Sequence, residues 1–219
     1  MSISWTPFPS RLNFLLTSVS LVCLSTRAFL ALVLLSLKNA VHNPLVLQFF
    51  FWHLLSPRKL ICVDKAKNSP FLQDYIDQRA LGDRFCTNYG VDQADKPALE
   101  AILQRDIPGE AVDLIVDDAS HLYPQTRATL ETLFPKLRNE GLYILEDWKA
   151  LPEEISYATE TDKQGPALRQ LVHECQALCE SRPDIISSVT INQYFAAIKR
   201  GPAPTESCRD ALEQMRLRS

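Results

Sequence analysis

The sequence predicts an α/β fold in which a mostly parallel sheet is covered by helices on both faces. From residue 58 onward, short apolar runs alternate with amphipathic segments of roughly ten to fifteen residues, an alternation that is typical of strands joined by helical crossovers. Three of the apolar runs also stop on acidic residues. Ligands of such sheets bind at the carboxyl ends of the strands, so polar residues there are expected to be functional.

The strands and helices follow in order along this part of the chain. Hydrophobic patterning predicts strands at Lys59–Asp64, Arg84–Gly90, Val112–Asp118 and Gly141–Asp147, with a closing hairpin near Ile185–Val189 and Gln193–Lys199. Helical spacing predicts helices at Phe71–Ala80, Lys96–Asp106, Tyr123–Leu137 and Gly165–Ser181. We therefore expect one domain over residues 58–203, followed by a helical tail over 204–219.

The N-terminal residues 1–57 form a hydrophobic segment of different character. The stretch Leu12–Leu37 carries one charge, Arg27, over about the length that spans a hydrocarbon core. A central arginine costs roughly 2.5–3.5 kcal/mol on insertion scales, so a helix packed on the protein core is an equal alternative to a membrane helix. The next apolar run, Pro44–Leu55, is too short to span a bilayer.

Composition excludes two classes of protein. The formal net charge of −3 provides no basic surface for nucleic acid, so we expect no DNA or RNA partner. The six cysteines are scattered without a C-x-x-C pair, which argues against a zinc finger and is typical of reduced thiols in the cytoplasm. We expect a cytoplasmic catalytic domain, with membrane association through the N-terminal segment left open, and a homo-oligomer is compatible with the sequence.

Paired acids at two strand ends indicate a metal site. Asp117 and Asp118 end one strand, Glu146 and Asp147 end another, and Asp64 ends a third. Adjacent buried carboxylates raise each other's pKa unless a cation neutralises them. A single strand-end acid such as Asp64 is more often a cap or a turn residue. Carboxylate oxygens held on rigid strand ends suit Mg²⁺, which takes a few protein ligands and keeps waters or substrate oxygens.

These residues lie in a segment that resembles a known family. The stretch from Ile115 to Trp148, "IVDDASHLYPQTRATLETLFPKLRNEGLYILEDW", is similar to the core of the class I S-adenosylmethionine-dependent methyltransferases. In particular, it resembles the metal-dependent macrolide-sugar O-methyltransferases and their cephalosporin-hydroxylase-like relatives. Ala119 replaces the glycine of the family's Asp-Asp-Gly-Ser-His pattern. The resemblance covers about residues 59–201 and implies a Rossmann-like sheet.

The resemblance also implies roles for individual residues. It makes His121 the general base, and it makes Asp118, Glu146 and Asp147 the ligands of Mg²⁺. For the S-adenosylmethionine cofactor, it places Asp64 at the ribose and Asp92 and Gln93 near the adenine, and it adds Asp117 to the cofactor site. The chemistry of the residues agrees with this, because an alcohol needs its proton removed before it accepts a methyl group and histidine titrates near neutral pH. Ser120 is expected to be a turn residue, since no Gly-x-Ser-x-Gly elbow surrounds it.

One departure concerns the loop after the first strand, which in this family is rich in glycine because the backbone approaches the cofactor closely. The first glycine of this chain is Gly82, and the region where the loop is expected reads "LKNAVHNPLVLQFFFWHLLSP". Three explanations are open: the cofactor binds in another way, the protein is a weak or inactive relative, or the N-terminal sequence is an aberrant translation.

The resemblance implies a Mg²⁺-assisted O-methyltransferase that acts on a hydroxyl of a sugar or another secondary metabolite. The alternative is a membrane-associated or catalytically inactive binding protein with the same fold. A different metal-dependent enzyme, such as a hydrolase that uses the Asp-x-x-His pair, is a third hypothesis.

Overall fold

A seven-stranded sheet forms the centre of the protein. The computed structural model describes residues 31–36, 44–66 and 69–217. The strands are β1 (Ala31–Ser36), β2 (Lys59–Asp64), β3 (Phe85–Tyr89), β4 (Val112–Asp118), β5 (Leu137–Glu146), β6 (Ile186–Ile191) and β7 (Phe195–Arg200). Their order in the sheet is β3-β2-β1-β4-β5-β7-β6. The pairs from β3 to β5 are parallel, and β7 pairs antiparallel with both β5 and β6, so the predicted closing hairpin is confirmed.

Strand β1 corrects the prediction of a single helix over residues 12–37. Its six residues pair with β2 on one side and with β4 on the other, so the end of the apolar stretch is a central strand of the sheet. A fully apolar run has no periodicity, and a buried parallel strand therefore has the same hydrophobic signature as a helix. The preceding part of the predicted helix lies outside the described residues. Among the residues that are described, no helix is long and apolar enough to cross a membrane.

Helices cover both faces of the sheet, as predicted. In chain order they are α1 (Pro44–Leu55), α2 (Pro70–Gln78), α3 (Lys96–Asp106), α4 (Tyr123–Leu133), α5 (Glu160–Gln164), α6 (Leu168–Ser181) and α7 (Thr205–Leu217). One core joins α3, α4, α6 and α7 to alternate sheet residues such as Ile115 and Tyr143. A second core joins α1 and α2 to the intervening residues, such as Leu114 and Ile144. Helix α1 includes Phe51 and Trp52, so the described N-terminal residues share the core of the predicted domain.

The strand order reverses at β1, and this reversal places the candidate site. In the sheet register, Ser36 at the end of β1 lies between Asp64 of β2 and Asp118 of β4. Neighbouring strands are about 4.8 Å apart, so the backbones of the two acids are about 10 Å apart on either side of β1. Ligands of open α/β sheets bind in the crevice at such a reversal. The residues that follow β1, numbers 37–43, are where the glycine-rich loop was expected, and they lie outside the described residues.

A buried ionic network ties α4 to the helices around it. The Arg127 side chain of α4 is 6% exposed and donates hydrogen bonds to Glu174 of α6 at 2.7 Å, to Glu131 at 2.9 Å and to the hydroxyl of Tyr123 at 2.6 Å. The Tyr123 hydroxyl itself contacts both Glu174 oxygens at 2.9 Å. Tyr123 is the first residue of α4, so the network fixes the start of the helix that follows His121.

Replacing Arg127 with methionine is expected to lower the free energy of unfolding by about 3 kcal/mol, since removing one partner leaves a buried carboxylate uncompensated. Arg182→Met is the matched control, because Arg182 makes an equally short 2.7 Å ion pair with Asp184 in which both side chains are 46% exposed. The control should leave the unfolding midpoint nearly unchanged. Urea unfolding of both variants measures the difference, and equal effects would contradict a stabilising role for the buried network.

Candidate active site

Three side chains from two neighbouring strand ends converge at the carboxyl edge of the sheet. Asp118 ends β4, His121 lies three residues later, and Asp147 directly follows β5. Each offers a ligand atom, and these atoms lie within 4.8 Å of one another. The His121 Nε2 is 3.7 Å from Asp118 Oδ1. The sequence prediction that Asp118, His121 and Asp147 lie close together is therefore matched by the geometry.

Two of these three residues have left-handed backbone. His121 has a φ of 56° and Asp147 a φ of 47°. Residues other than glycine adopt this conformation uncommonly, although histidine and aspartate do so more often than most. Such a conformation persists only where the surroundings enforce it, and it is concentrated at functional sites. Both turns redirect a side chain just after a strand has ended.

Asp117 has a different environment from its neighbour. Its side chain is 1% exposed, and one carboxylate oxygen accepts a hydrogen bond of 2.5 Å from the Tyr143 hydroxyl. Burial raises the pKa of Asp117 to about 7, and the nearby Asp118 carboxylate adds to this, while hydrogen bonds from Tyr143 and Ala119 oppose it. Asp117 thus lies inside the protein, in the layer beneath the convergent cluster.

Ser120 is a turn residue, as predicted, and it is held at three points. Its Oγ accepts a hydrogen bond from the Leu122 N–H at 3.2 Å. Its own N–H donates to Gln93 Oε1 at 2.7 Å, and its carbonyl oxygen accepts from the Tyr157 hydroxyl at 2.9 Å. The turn that presents His121 is therefore fixed by partners from two other loops.

Gln93 lies at this turn and was predicted to contact the cofactor. Its side chain is buried, with the oxygen on Ser120 and the nitrogen 3.1 Å from the Thr129 hydroxyl. Both ends of the amide thus bind protein atoms. A role at the adenine stays a prediction, and within the described residues the side chain of Gln93 joins the loop after β3 to the turn after β4.

Glu146 is not part of the convergent cluster, although it was predicted to be a ligand alongside Asp147. It is the last residue of β5, where it pairs with Phe195 of β7. The following residue, Asp147, donates its backbone N–H to the Tyr194 carbonyl at 2.8 Å, which secures the turn against the closing hairpin. The structure therefore brings one acid of each predicted pair, Asp118 and Asp147, to His121.

The cofactor-side acids lie at the ends of β2 and β3. The Asp64 side chain is 3% exposed and accepts a hydrogen bond from the Ala66 N–H at 2.7 Å. Burial raises the pKa of Asp64, and that hydrogen bond opposes the rise. Asp92 is exposed by comparison and forms an ion pair of 2.6 Å with Lys65. The predicted contacts of Asp64 and Asp92 with a cofactor stay predictions.

Replacing Asp64 with asparagine is expected to stabilise the ligand-free protein at neutral pH. A raised pKa in the folded state means that folding disfavours the ionised form, so the cost is absent below the ordinary pKa of about 3.9 and grows as the pH rises through the folded value. The gain in melting temperature should therefore increase between about pH 4 and neutrality. The exposed Asp74→Asn serves as control, and a gain that is independent of pH would contradict this explanation.

Sequence reasoning missed two tyrosines of the site. Tyr143 lies in the middle of β5 and is fully buried, so its aromatic ring indicated only a core residue. Tyr157 lies in the loop after β5, outside any periodic segment. The hydroxyl of Tyr143 is the one signal that could have been used, since a buried tyrosine hydroxyl needs a partner.

The matching curated proteins are O-methyltransferases of antibiotic biosynthesis. Mycinamicin VI 2''-O-methyltransferase from Micromonospora griseorubida is 40% identical over 60 residues, which is 27% of this chain and 14% of that protein. Demethylmacrocin O-methyltransferase from Streptomyces fradiae is 38% identical over 78 residues, which is 35% of this chain and 19% of that protein. L-olivosyl-oleandolide 3-O-methyltransferase from Streptomyces antibioticus is 29% identical over 96 residues, or 44% of this chain and 22% of that protein. No protein-family model matches the chain.

Solved structures of methyltransferases share the fold. The MycE methyltransferase of mycinamycin biosynthesis, solved with Mg and SAH, superposes with a TM-score of 0.63 at 18% identity over 84% of this chain. The present chain spans about half of that protein, since the match covers 48% of it. An O-methyltransferase from Bacillus cereus superposes with a TM-score of 0.52 at 16% identity, over 89% of this chain and 83% of its own. The chain therefore has the class I methyltransferase fold, and its similarity to sugar and macrolide O-methyltransferases confirms the resemblance predicted from its strand-end motifs.

Proposed function

We propose that this chain transfers a methyl group from S-adenosylmethionine to a hydroxyl of a sugar or another secondary metabolite, with the assistance of Mg²⁺. The observation that carries the proposal is the convergence of Asp118, His121 and Asp147 at the carboxyl ends of β4 and β5. The names of the matching proteins support it, because they are O-methyltransferases of glycosylated antibiotics. The fold alone would not carry it, since one fold hosts many functions.

The donor set fits a divalent cation. Asp118 is 2% exposed, and two carboxylates and an imidazole with atoms within 4.8 Å form a compact, mainly anionic group. Such a group is stable when a cation balances the carboxylates, and hard oxygen donors favour Mg²⁺. Asp118 and Asp147 would hold the ion, and Glu146 is proposed as a third ligand on the family resemblance. When bound, the cation would stabilise the negative charge that develops on the acceptor oxygen.

His121 is proposed to accept the proton of the acceptor hydroxyl. Its imidazole lies beside Asp118, and a protonated ring at 3.7 Å from that carboxylate would gain an ion pair. In the transfer, the acceptor oxygen forms a bond to the methyl carbon, the bond from carbon to sulfur breaks, and S-adenosylhomocysteine leaves. The proton of the hydroxyl passes to His121, which then releases it to solvent.

The cofactor is proposed to lie in the crevice at the reversal of strand order. Asp64 would accept hydrogen bonds from the ribose hydroxyls at the end of β2, and the loop after β3, with Asp92 and Gln93, would flank the adenine. Asp64 and Asp118 are separated by β1 alone, so this arrangement brings the donor next to the candidate metal site. Asp117 would support the site from beneath, through its hydrogen bond with Tyr143.

Calorimetry with S-adenosylmethionine, in the presence and absence of Mg²⁺, tests the proposal together with a methyl-transfer assay. Mycinamicin VI and demethylmacrocin are suitable acceptor probes, because the matching proteins are named for them. We expect saturable cofactor binding and the formation of S-adenosylhomocysteine that depends on Mg²⁺ and on an acceptor.

A second candidate function is a catalytically inactive binding protein with the same fold. It is favoured by one observation, the absence of any glycine before Gly82, because the usual cofactor loop needs glycine. A folded chain that binds no S-adenosylmethionine at millimolar concentration would support this candidate. It would also exclude methyl transfer.

A further inference from the structure

The loop that follows β5 is fastened at its base to the closing hairpin. The Asp147 N–H donates to the Tyr194 carbonyl, and the Trp148 indole Nε1 donates to the Asn192 carbonyl, both at 2.8 Å. Trp148 is 9% exposed, so the ring forms part of the core while its N–H holds the loop. The chain therefore leaves Asp147 in a defined direction.

The far end of the loop folds back onto the turn that carries His121. The Tyr157 hydroxyl donates to the Ser120 carbonyl at 2.9 Å. Next to it, Gln125 Nε2 is 3.5 Å from Asp162 Oδ1, and a capping box between Thr159 and Asp162 fixes the start of α5. The loop thus connects the two strand ends that supply the convergent cluster.

The carbonyl of Ser120 belongs to the peptide bond that joins Ser120 to His121. A hydrogen bond to this oxygen limits rotation of the peptide plane, and with it the left-handed φ of 56° at His121. The ring itself has few constraints among the described residues: Nδ1 is buried without a hydrogen-bond partner there, and Nε2 is 3.7 Å from Asp118. A general base is usually oriented by a third group bonded to its ring. Here the orientation must come from the backbone turn.

We propose that Tyr157 is a positioning residue for His121, acting through its hydrogen bond to the Ser120 carbonyl. The proposal rests on the proposed function for its catalytic meaning, although the positioning itself is a property of the ligand-free chain. The Tyr157 ring is 42% exposed, so removing the hydroxyl alters the hydrogen bond without emptying the core. Tyr157→Phe is therefore the informative variant.

The matched control is Tyr75→Phe. The Tyr75 hydroxyl also makes one side-chain hydrogen bond, at 3.1 Å to His53, but it lies on α2 among residues of the other core. Thermal unfolding of both variants should show similar midpoints. Any difference in function is then a consequence of the position of the lost hydroxyl.

The first measurement is nuclear magnetic resonance of the chain labelled with ¹⁵N-histidine, without substrates. The sequence has four histidines, and His121→Ala assigns the signal of His121. Tyr157→Phe is expected to shift or broaden the imidazole ¹⁵N signals of His121 and leave the other three unchanged, whereas Tyr75→Phe leaves His121 unchanged. Signals of His121 that are identical in wild type and Tyr157→Phe would overturn the proposal, whether or not the chain has methyltransferase activity.

The second measurement is steady-state kinetics with mycinamicin VI as the acceptor probe. Tyr157→Phe should lower kcat about three- to tenfold, in line with the loss of one hydrogen bond, while KM for both substrates changes less than twofold. A rise in KM with unchanged kcat would instead place the tyrosine in acceptor binding and contradict the positioning role. If wild type transfers no methyl group, the proposed function fails and the resonance experiment alone decides the positioning.

Discussion

Replacing His121 with alanine is expected to lower the rate of methyl transfer by roughly 10²–10⁴-fold, the usual contribution of a general base. The affinities for Mg²⁺ and S-adenosylmethionine should change little, because the carboxylates hold the cation and the cofactor lies across β1. The imidazole would contribute only the removal of the acceptor's proton. Single-turnover rates at saturating substrate, compared with calorimetric affinities, separate the two effects.

His173→Ala is the matched control for this experiment. His173 lies exposed on α6, and its Nδ1 is 3.0 Å from Gln176 Oε1 on the same helix. Its removal should leave the rate unchanged. If the His121 variant retains full activity from about pH 6 to about pH 9, where an unperturbed histidine titrates, the base is another group and His121 is structural.

Most of the sheet from β2 onward could be predicted because each strand has its own local signature. The bounds of β2, α3 and β4 are those predicted, and the limits of α3 follow from Asp95, which accepts a hydrogen bond from Ala98 N–H, and from proline in the first turn. Strand β5 begins at Leu137, four residues earlier than predicted at Gly141. Helix α4 correspondingly ends at Leu133 and gives way to a short 3-10 turn at Phe134–Lys136. The proline in that turn, Pro135, cannot donate the next helical hydrogen bond.

The N-terminal strand could not be predicted, for a physical reason. Every described residue of β1 except Ser36 is apolar, and a strand buried on both faces needs no alternation. Its identity depends on the neighbours β2 and β4, which are 28 and more residues away in the register, from Ala31 to Lys59 onward. Information of that kind is absent from the local sequence.

The site shows the same division between local and distant information. Asp118, His121 and Asp147 could be named from the sequence because each lies just after a recognisable strand and matches a family pattern. The left-handed turns at His121 and Asp147, and the support of Ser120 by Gln93 and Tyr157, arise between segments far apart in the chain. No local pattern encodes them, so the residues that hold the site were harder to find than those that form it.

Asp118→Ala is expected to behave differently from His121→Ala, because it removes a proposed ligand. Even the loss of an outer-sphere partner typically weakens metal binding by 10–100-fold, so the loss of a ligand should weaken the affinity for Mg²⁺ by at least about tenfold. The rate at a fixed low Mg²⁺ concentration should fall with it. The exposed Asp74→Ala is the control for a change of net charge, and it should alter neither quantity.

The concentration of Mg²⁺ then distinguishes the two site variants. Raising it should restore part of the activity of Asp118→Ala, since mass action refills a weakened site that still has Asp147. The same addition should not restore His121→Ala, because its metal site is intact and its missing group is the base. A titration of activity against Mg²⁺ for wild type and both variants measures this directly. If the apparent Mg²⁺ affinity of Asp118→Ala equals that of wild type, Asp118 is not a ligand and the convergence of Asp118, His121 and Asp147 needs another explanation.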